Sequence, residues 1–389
     1  MPKRARGEGS VTKRKDGRWM ARANVGYDIE SEKTIRKSFY GKTRQEATQK
    51  MNDALADVRK GTYIEPTKMI FAQWIKTWIN ITMKLHLRPT TWDSYQSMIT
   101  NHITPTIGHI PLNRLRTAHL QNLYNDKLKS GRVDGMGGLS ARTVRYIHAI
   151  IHGALEQAIK ENLLITNPAK AVKLPKNEKK IPKHFDTASI KLFLELAKKS
   201  RHYTAYLVEL NTGVRRGELL SLRWSDINMS NAKIYICRNL VRSSEQGLIF
   251  QEPKTKLSKR SIDVHISLIK DLKDHKKKQA EEKLSAGQAY EDNDLVFCTP
   301  FGKPLDPRAF SAHFKKIIKG TKLEDMTLHG LRHTLATISI QEGIDFNTVQ
   351  EILGHHSPAF TLATYAHVTE QMKNKQTEAI GKLIDSCKS

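Results

Sequence analysis

The hydrophobic periodicity of this chain changes near residue 67, and that change limits the folds open to it. Between Arg18 and Tyr27 apolar side chains alternate with polar ones, which is typical of a half-buried strand. Apolar residues recur instead at helical spacing in two later runs, which begin at Phe71 and at Val144. The pattern therefore predicts a small strand-containing unit followed by a helical one.

The first unit, residues 1–66, is predicted to be α+β. Lys15-Asp16-Gly17 indicates a turn before the first strand, and a second strand is expected from Thr34 to Tyr40. Thr43 followed by Glu46 has the form of a capping box, which predicts a helix that runs to about Arg59 and is closed by Gly61.

The second unit, residues 67–172, is predicted to be helical. Its aromatic residues, such as Trp74, follow the 3.6-residue period and are therefore expected in the core rather than stacked on bases. Gly135–Gly138 indicates a loop, and Ser140 is expected to begin a later helix. Residues 173–185 are charged and contain prolines, which is typical of a linker between domains.

The third unit, residues 186–389, is predicted to mix helices and strands. A lysine-rich stretch, Lys270–Lys283, also contains acids and is expected to form a solvated helix. The other predicted elements are three helices and one strand pair, at about 187–200, 203–212, 216–222, 233–241 and 247–265. The predicted fold class is multidomain, mainly α with α+β parts.

The charge of the chain indicates a polyanionic partner. Its 389 residues carry a formal net charge of +26, and eight Lys or Arg against two acids fall in the first 22 residues. Such a balance favours nucleic acid over a merely soluble basic protein, although the strand region could also be a solvated basic face. The residues expected to contact DNA there are Lys13, Arg14, Lys15, Arg18 and Arg22.

Cysteine usage and hydropathy favour the cytoplasm. Cys237, Cys298 and Cys387 are scattered and predict neither a disulfide framework nor a paired metal site. The basic N-terminus lacks the apolar run of a signal peptide, and no stretch approaches the ~18 apolar residues of a membrane helix.

The second half of the chain carries residues that suit attack on a phosphodiester. Arginine supplies permanently charged donors for phosphate oxygens, histidine exchanges protons near neutral pH, and tyrosine can serve as a nucleophile. An acidic triad and a glycine-rich nucleotide loop are absent from the sequence, so neither a metal nor another cofactor is demanded. The relevant groups are Thr212-Gly-Val-Arg215-Arg-Gly-Glu218, His329-Gly-Leu-Arg332-His333, Leu353-Gly-His355 and Tyr365.

The spacing of these residues leaves structural alternatives. Arg215 and Glu218 are three residues apart and could form a simple ion pair on one helix face. His329 and His333 have a metal-binding spacing, but Gly330 stands where the zinc-protease helix needs a glutamate, so zinc is not predicted. His333 could equally be a core histidine.

In order and spacing these motifs resemble those of the tyrosine recombinases, specifically the integrases of temperate phages and conjugative transposons. The resemblance covers essentially the whole chain. It implies that residues 1–66 form an arm-type DNA-binding domain with a three-stranded sheet and a helix. It further implies a helical, SAM-like core-binding domain at 67–172 and a catalytic domain with a C-terminal tail at 186–389.

The resemblance also implies a role for each catalytic residue. Arg215 and Arg332 would bind the non-bridging oxygens of the scissile phosphate. Tyr365 would attack in line, giving a 3′-phosphotyrosyl link and a free 5′ hydroxyl. His329 would act in proton transfer with the tyrosine, and His355 would hydrogen-bond the phosphate.

Further residues are implied in supporting roles. Glu218 would support the first arginine, and His333 is assigned to the same supporting group. The run from Pro253 to Ile262 resembles the β-hairpin that carries the catalytic lysine of the family. Lys254 is the better match, with Lys256 as the alternative and as a DNA contact. Both could instead bind phosphate at a hairpin tip, and an aspartate follows Ile262 where relatives often carry proline.

The resemblance implies double-stranded DNA with core and arm attachment sites as substrate, and a homotetramer as the active assembly. An excisionase and a DNA-bending host factor are expected helpers, and the place of action is the bacterial cytoplasm at the nucleoid. Two rival functions remain at this stage. One is a type IB topoisomerase with the same nucleophile chemistry, and the other is a non-catalytic DNA-binding regulator.

Overall fold

The computed structural model describes residues 9–28, 33–60, 68–177, 184–253 and 259–354, together with Ile380 and Ser386. The chain divides into two compact units, Met1–Glu178 and Lys179–Ser389, and the division falls within the segment 173–185. None of the described helices is long and apolar enough to cross a membrane.

Three antiparallel strands open the first unit and pair in sequence order. They are β1 Ser10–Lys13, β2 Trp19–Asp28 and β3 Lys33–Gly41. The turn predicted before β2 is present, and Asp16 stabilises it by accepting a hydrogen bond from the Arg18 amide at 3.2 Å. The predicted strands and their turn are therefore confirmed.

One face of this sheet is covered by α1, Arg44–Arg59. Ala21 and Ala23 of β2 pack against Ala47 and Met51 of the helix, and all four residues are buried. The predicted period-two pattern of β2 thus places its apolar side chains on the face that α1 covers.

The N-terminus of α1 is capped by side chains, as predicted. Thr43 Oγ1 accepts a hydrogen bond from the Glu46 amide at 3.1 Å, and the Glu46 carboxylate accepts one from the Lys42 amide at 2.7 Å. The stop predicted at Gly61 lies outside the described residues.

The rest of the first unit is helical. Its α-helices are α2 Phe71–Thr77, α3 Pro89–Met98, α4 Thr104–Ile107, α5 Thr117–Ser130 and α6 Ala141–Lys160. Single π-helical turns extend α2 through Trp78–Thr82 and α3 through Ile99–Ile103. Ser140 begins α6 as predicted, since its Oγ accepts a hydrogen bond from the Thr143 amide at 3.2 Å.

One apolar core unites these helices. Trp74 is 2% exposed, and its indole Nε1 donates to the Ala154 carbonyl at 2.8 Å, which joins α2 to α6. The helical runs that begin at Phe71 and Val144 supply much of the same core. The interpretation of these aromatic residues as core is therefore correct.

The second unit packs helices and strands around a core that contains Phe193, Tyr206 and Phe314. Its helices are α7 Thr187–Ala197, α8 Tyr203–Thr212, α9 Arg216–Leu219, α10 Ile266–Ala286, α11 Pro307–Ile318, α12 Leu328–Gln341 and α13 Phe346–Leu353. Its strands are β4 Ile227–Asn228, β5 Lys233–Ile236, β6 Asn239–Ser243, β7 Gly247–Gln251 and β8 Arg260–Asp263.

The prediction of one long strand pair at about 233–241 and 247–265 is wrong. β5 pairs with β4 and β8, whereas β6 pairs with β7 in a separate hairpin. The break falls at Cys237 and Arg238, whose side chains both contact the Asp226 carboxylate. Because these two residues turn toward Asp226, the chain leaves the first ladder before it enters the second.

Two helices of the second unit also differ from the prediction. α9 ends at Leu219, earlier than expected, because the hydroxyl and the amide of Ser221 both donate to the Glu218 carbonyl and close a tighter turn. The helix predicted over Lys270–Lys283 is present as α10. It is not fully solvated, since one face, which includes His275, is buried.

Candidate active site

Arg215 lies in a tight turn between α8 and α9. Gly213 ends α8 in the left-handed conformation, with φ of +59°. A Cβ at this position would lie 2.6 Å from Leu353 Cδ2 and 2.8 Å from Leu335 Cδ2, so both the backbone and the packing require glycine. Val214 is buried, and Arg215 is the N-cap residue directly before α9.

Glu218 joins two arginines in the interior of the second unit. Its Oε1 accepts a hydrogen bond from Arg215 Nη1 at 2.7 Å, and its Oε2 accepts one from Arg260 Nη2 at 3.0 Å. Burial would raise the pKa of Glu218, but the charges of Arg260 and Arg215 outweigh it and lower the pKa below its usual value. Glu218 is therefore a buried carboxylate, and its pairing with Arg215 agrees with the i,i+3 spacing.

Arg332 reaches the same region from α12. Thr327 Oγ1 accepts a hydrogen bond from the Gly330 amide at 3.2 Å and begins that helix. Arg332 is only 2% exposed. Its Nη1 donates to the Gly213 carbonyl and its Nη2 donates to the Leu353 carbonyl at 2.7 Å. The buried guanidinium therefore connects the C-terminal ends of α8 and α13.

Three successive carbonyl groups at the C-terminal end of α13, residues 352–354, each accept a hydrogen bond from a different arginine. In the order of the acceptors, the donors are Arg260 at 2.7 Å, Arg332 at 2.7 Å and Arg215 at 2.8 Å. Carbonyls at a helix C-terminus lack intrahelical partners and carry partial negative charge. They bring three guanidinium groups together in fixed positions, and such preorganised donors stabilise a phosphate as charge develops on its oxygens.

Two histidines of α12 lie beside this cluster. The rings of His329 and His333 meet edge to face with centroids 4.7 Å apart; His329 retains an exposed surface, and His333 is half-buried. The surrounding protein, which displaces water, and then the charges of Arg332 and Arg215 lower the pKa of His329 to about 4. Burial and His329 lower the pKa of His333 to about 4. Both rings are therefore neutral at pH 7 and can accept a proton.

A second buried carboxyl group, on α8, was missed in the sequence. Glu209 is 1% exposed, and its Oε2 has no hydrogen-bond partner within the part of the chain that the structure describes. Burial raises its pKa well above the usual value despite the charges of Arg216 and Arg332. The raised pKa favours the protonated, neutral form of this carboxyl group. Its helical spacing from the buried Tyr206 was the available signal.

Arg260 is the residue of this cluster to which the sequence prediction gave no role. Its side chain is 7% exposed and contacts Glu218. The signal was the period of β8, in which Arg260 and Ile262 share one face of the strand. Since Ile262 is buried, the same alternation directs the arginine inward.

Four residues of the predicted site lie outside the described residues, so their placement stays a prediction. By sequence, Lys254 and Lys256 fall between β7 and β8. His355 directly follows Gly354, and Tyr365 lies ten residues further on.

The basic strand residues of the first unit are exposed but do not share one face of the sheet. Lys13 pairs in register with Trp19, on the side that α1 covers, whereas Arg22 points to the opposite side. Arg36 of β3 lies on the same side as Arg22, and its Nε donates to Asn24 Oδ1 at 3.2 Å. Arg36 is not among the predicted DNA contacts, because those were all taken from the first 22 residues, although β3 alternates in the same way.

The turn between β1 and β2 holds the other predicted DNA contacts. Arg14 and Arg18 pair with the Asp16 carboxylate at 3.4 and 3.1 Å, and Lys15 is exposed between them. Arg14 also lies over the Tyr40 ring, with its Cζ 5.4 Å from the centroid. Exposed ion pairs contribute little and break easily, so these arginines remain available to a phosphate backbone.

Two family models match this chain. The one described as the phage integrase family matches residues 179–372, and the one described as the phage integrase N-terminal SAM-like domain matches residues 70–128. A XerC-like tyrosine recombinase of Caldanaerobacter subterraneus is 30% identical over 378 residues, which are 92% of this chain and 95% of the relative. The ICEBs1 integrase of Bacillus subtilis is 26% identical over 385 residues, covering 97% of this chain and 99% of the relative.

Solved structures confirm the predicted fold class. The Tn1549 transposon integrase in complex with circular intermediate DNA has a TM-score of 0.64 at 18% identity, covering 80% of this chain and 99% of that one. A lambda integrase tetramer bound to a Holliday junction has a TM-score of 0.54 at 20% identity, covering 90% and 96%. Together with the family models and the relatives, these likenesses identify the chain as a member of the phage integrase family and as a tyrosine site-specific recombinase.

Proposed function

We propose that this protein is the integrase of a mobile element, which cuts and rejoins DNA at attachment sites to integrate and excise that element. The arginine cluster at the end of α13 carries the proposal. Arg215, Arg260 and Arg332 converge there, directly before the sequence segment that contains His355 and Tyr365. Relatives named for mobile elements, the ICEBs1 and Tn1549 integrases, support the same function.

In the proposed reaction the hydroxyl oxygen of Tyr365 bonds to the scissile phosphorus as the bond from phosphorus to the 5′ oxygen breaks. The phenolic proton passes to His329, whose imidazole is neutral at pH 7 and so has a lone pair that can accept it. The departing 5′ oxygen takes a proton from Lys254, with Lys256 as the alternative donor. The products are a 3′-phosphotyrosyl link and a 5′ hydroxyl. Because the link conserves the phosphodiester, a second 5′ hydroxyl can reverse the step without ATP.

Arg215 and Arg332 differ in their access to a phosphate. The Arg215 side chain is 39% exposed, so it can contact a phosphate oxygen while Glu218 still holds it. Arg332 is buried and donates to the carbonyls of residues 213 and 353. His355 would complete the phosphate contacts.

The proposal assigns a DNA site to each part of the chain. Residues 1–66 bind arm sites through the turn arginines and Arg22, residues 67–172 bind core sites, and 186–389 catalyse, with 173–185 as the linker. Four copies act together on two core sites, an assembly supported by the lambda integrase tetramer on a Holliday junction. An excisionase and a DNA-bending host protein set the direction, and the reaction takes place at the bacterial nucleoid.

A recombination assay tests this function. Purified protein is incubated with a plasmid that carries the paired ends of the element, and the products are sequenced across the junctions. We expect recombinants that depend on both sites and that cross over within one short interval. Relaxation of a plasmid without paired sites, in the absence of recombinants, would favour a topoisomerase. Binding without covalent adducts would favour a regulator.

A further inference from the structure

Arg260 connects three elements of the second unit although it lies in none of the predicted catalytic motifs. From β8, its Nη2 donates to Glu218 Oε2 of α9 at 3.0 Å, and its Nε donates to the Ile352 carbonyl of α13 at 2.7 Å. Gly354 ends α13 with φ of +62°, and a Cβ there would lie 3.0 Å from Arg260 Nη1. The backbone thus closes over the guanidinium.

Fold stability alone gives little reason for a buried arginine at this position. A buried ion pair is often no more stabilising than apolar residues of similar volume, because desolvation offsets much of the attraction. The side chains of Arg260 and Glu218 are only 7% and 4% exposed, so the desolvation cost of this pair applies in full. The neighbouring pair on the same sheet, Lys233 with Asp263, is by contrast exposed and of the ordinary surface type.

Arg260 contacts the same residues that hold the proposed catalytic groups in place. Glu218, which it binds, also holds Arg215. Residues 352–354, which it and the other two arginines bind, lead directly into His355. β8, which begins at Arg260, follows the segment of Lys254 by sequence.

We propose that Arg260 is a positioning residue for strand cleavage. It links Glu218 to the C-terminal turn of α13. Glu218 in turn orients Arg215 toward the scissile phosphate, and the same link fixes the backbone that leads to His355. This inference rests on the proposed recombinase function, and it adds a residue that acts on the phosphate only through Arg215 and the end of α13.

The test compares Arg260→Met and Arg260→Lys with a matched control, Lys233→Met. The control removes one positive charge from the same sheet but only an exposed ion pair. Single-turnover cleavage is measured on a core site with a nick beside the scissile phosphate, which traps the covalent adduct. Loss of one or two charge-assisted hydrogen bonds is expected to slow adduct formation by Arg260→Met roughly tenfold to a hundredfold. DNA affinity and the behaviour of Lys233→Met are expected to stay at wild-type levels.

A second substrate separates positioning from a general effect on folding. In a methylphosphonate core site, one non-bridging oxygen is replaced by methyl, so the reacting group has lost its negative charge and depends less on Arg215. We expect the penalty of Arg260→Met to shrink at least about fivefold on this substrate, because positioned charge stabilises developing charge. An equal penalty on both substrates would overturn the inference, since a purely structural defect does not depend on the charge of the substrate.

Arg260→Lys keeps the test valid if Arg260→Met does not fold. Lysine retains a charge for Glu218 but cannot span Glu218 and the Ile352 carbonyl with a planar fork, so a smaller loss of rate is expected. Wild-type rates for Arg260→Lys and Arg260→Met on both substrates would overturn the inference while leaving the proposed function intact. Failure of the wild-type protein to form any adduct on nicked core sites would instead count against the proposed function.

Discussion

Replacement of Glu218 with glutamine tests whether charge holds the arginine cluster in place. Glutamine has nearly the same size and keeps one acceptor oxygen, but its amide group is a donor. In the structure both carboxylate oxygens accept from guanidinium groups, those of Arg215 and Arg260. The variant therefore loses the charge at both contacts and places a donor against a donor at one of them.

The expected cost follows from the exposure of each contact. A hydrogen bond to a charged group contributes roughly 1.5–3 kcal/mol. The contact with Arg260 counts fully because both side chains are buried, whereas the contact with Arg215 is screened because that side chain is 39% exposed. We expect a loss of about 3 kcal/mol in the free energy of unfolding of the second unit, or a Tm lower by roughly 6–12 °C.

The assay combines calorimetry with single-turnover cleavage of nicked core-site DNA. Because Arg215 loses its support, adduct formation is expected to slow by about 10²-fold, the size of effect seen when one oxyanion donor is lost. The matched control is Asp263→Asn, since Asp263 pairs with Lys233 at 3.2 Å but is 76% exposed. That control is expected to change stability by less than about 1 kcal/mol.

The pH dependence of stability gives the same test a second readout. Because folding lowers the pKa of Glu218, its carboxylate stabilises the folded state at pH values above the usual carboxyl pKa of 4.5. This stabilisation is lost as the pH falls through the folded-state pKa. Glu218→Gln is expected to remove that acid-dependent loss. A variant with wild-type Tm, wild-type acid stability and wild-type cleavage would refute the claim that Glu218 organises the cluster.

Three further changes test other parts of the structure. Gly213→Ala is expected to lower the free energy of unfolding in urea by roughly 2–4 kcal/mol, because strain at φ of +59° adds to a 2.6 Å contact with Leu353. The control Gly247→Ala has similar φ but open space around it, and is expected to lower the free energy of unfolding by only about 1–2 kcal/mol. Equal costs for the two glycines would contradict the packing argument. Trp74→Ala is expected to destabilise the first unit by roughly 3–5 kcal/mol, read as an earlier calorimetric transition, and an unchanged transition would contradict its place in the core. Between pH 6.5 and about 4 the unfolded state binds a proton at His329 before the folded state does, so stability falls as the pH drops through this window. His329→Gln is expected to flatten that slope, and an identical slope in the variant would contradict the lowered pKa.

Local sequence signals predicted the features that depend on neighbouring residues. The caps at Thr43 and Ser140 bond to amides three residues away, so spacing alone reveals them. The strand pairing after Lys233 was predicted wrongly because the break depends on the contacts of Cys237 and Arg238 with Asp226, more than ten residues upstream.

The arginine cluster shows what sequence spacing cannot supply. The order of the motifs predicted which residues matter, but the hydrogen bond from Arg215 to the Gly354 carbonyl joins residues 139 positions apart. Arg260 gained its role only from contacts with α9 and α13, which no periodicity encodes. The burial of Arg332 was equally invisible, since helical spacing gives the face of a helix but not what packs against it.

The central claim is that Tyr365 is the nucleophile that the arginine cluster serves. Nicked core-site DNA is incubated with the wild-type protein, the covalent adduct is purified and digested, and the modified peptide is identified by mass spectrometry. If Tyr365 is the nucleophile, a nucleotide is bonded through its 3′ phosphate to the Tyr365 oxygen, and no adduct forms with Tyr365→Phe. An adduct on another residue, or one that persists in Tyr365→Phe, would contradict it.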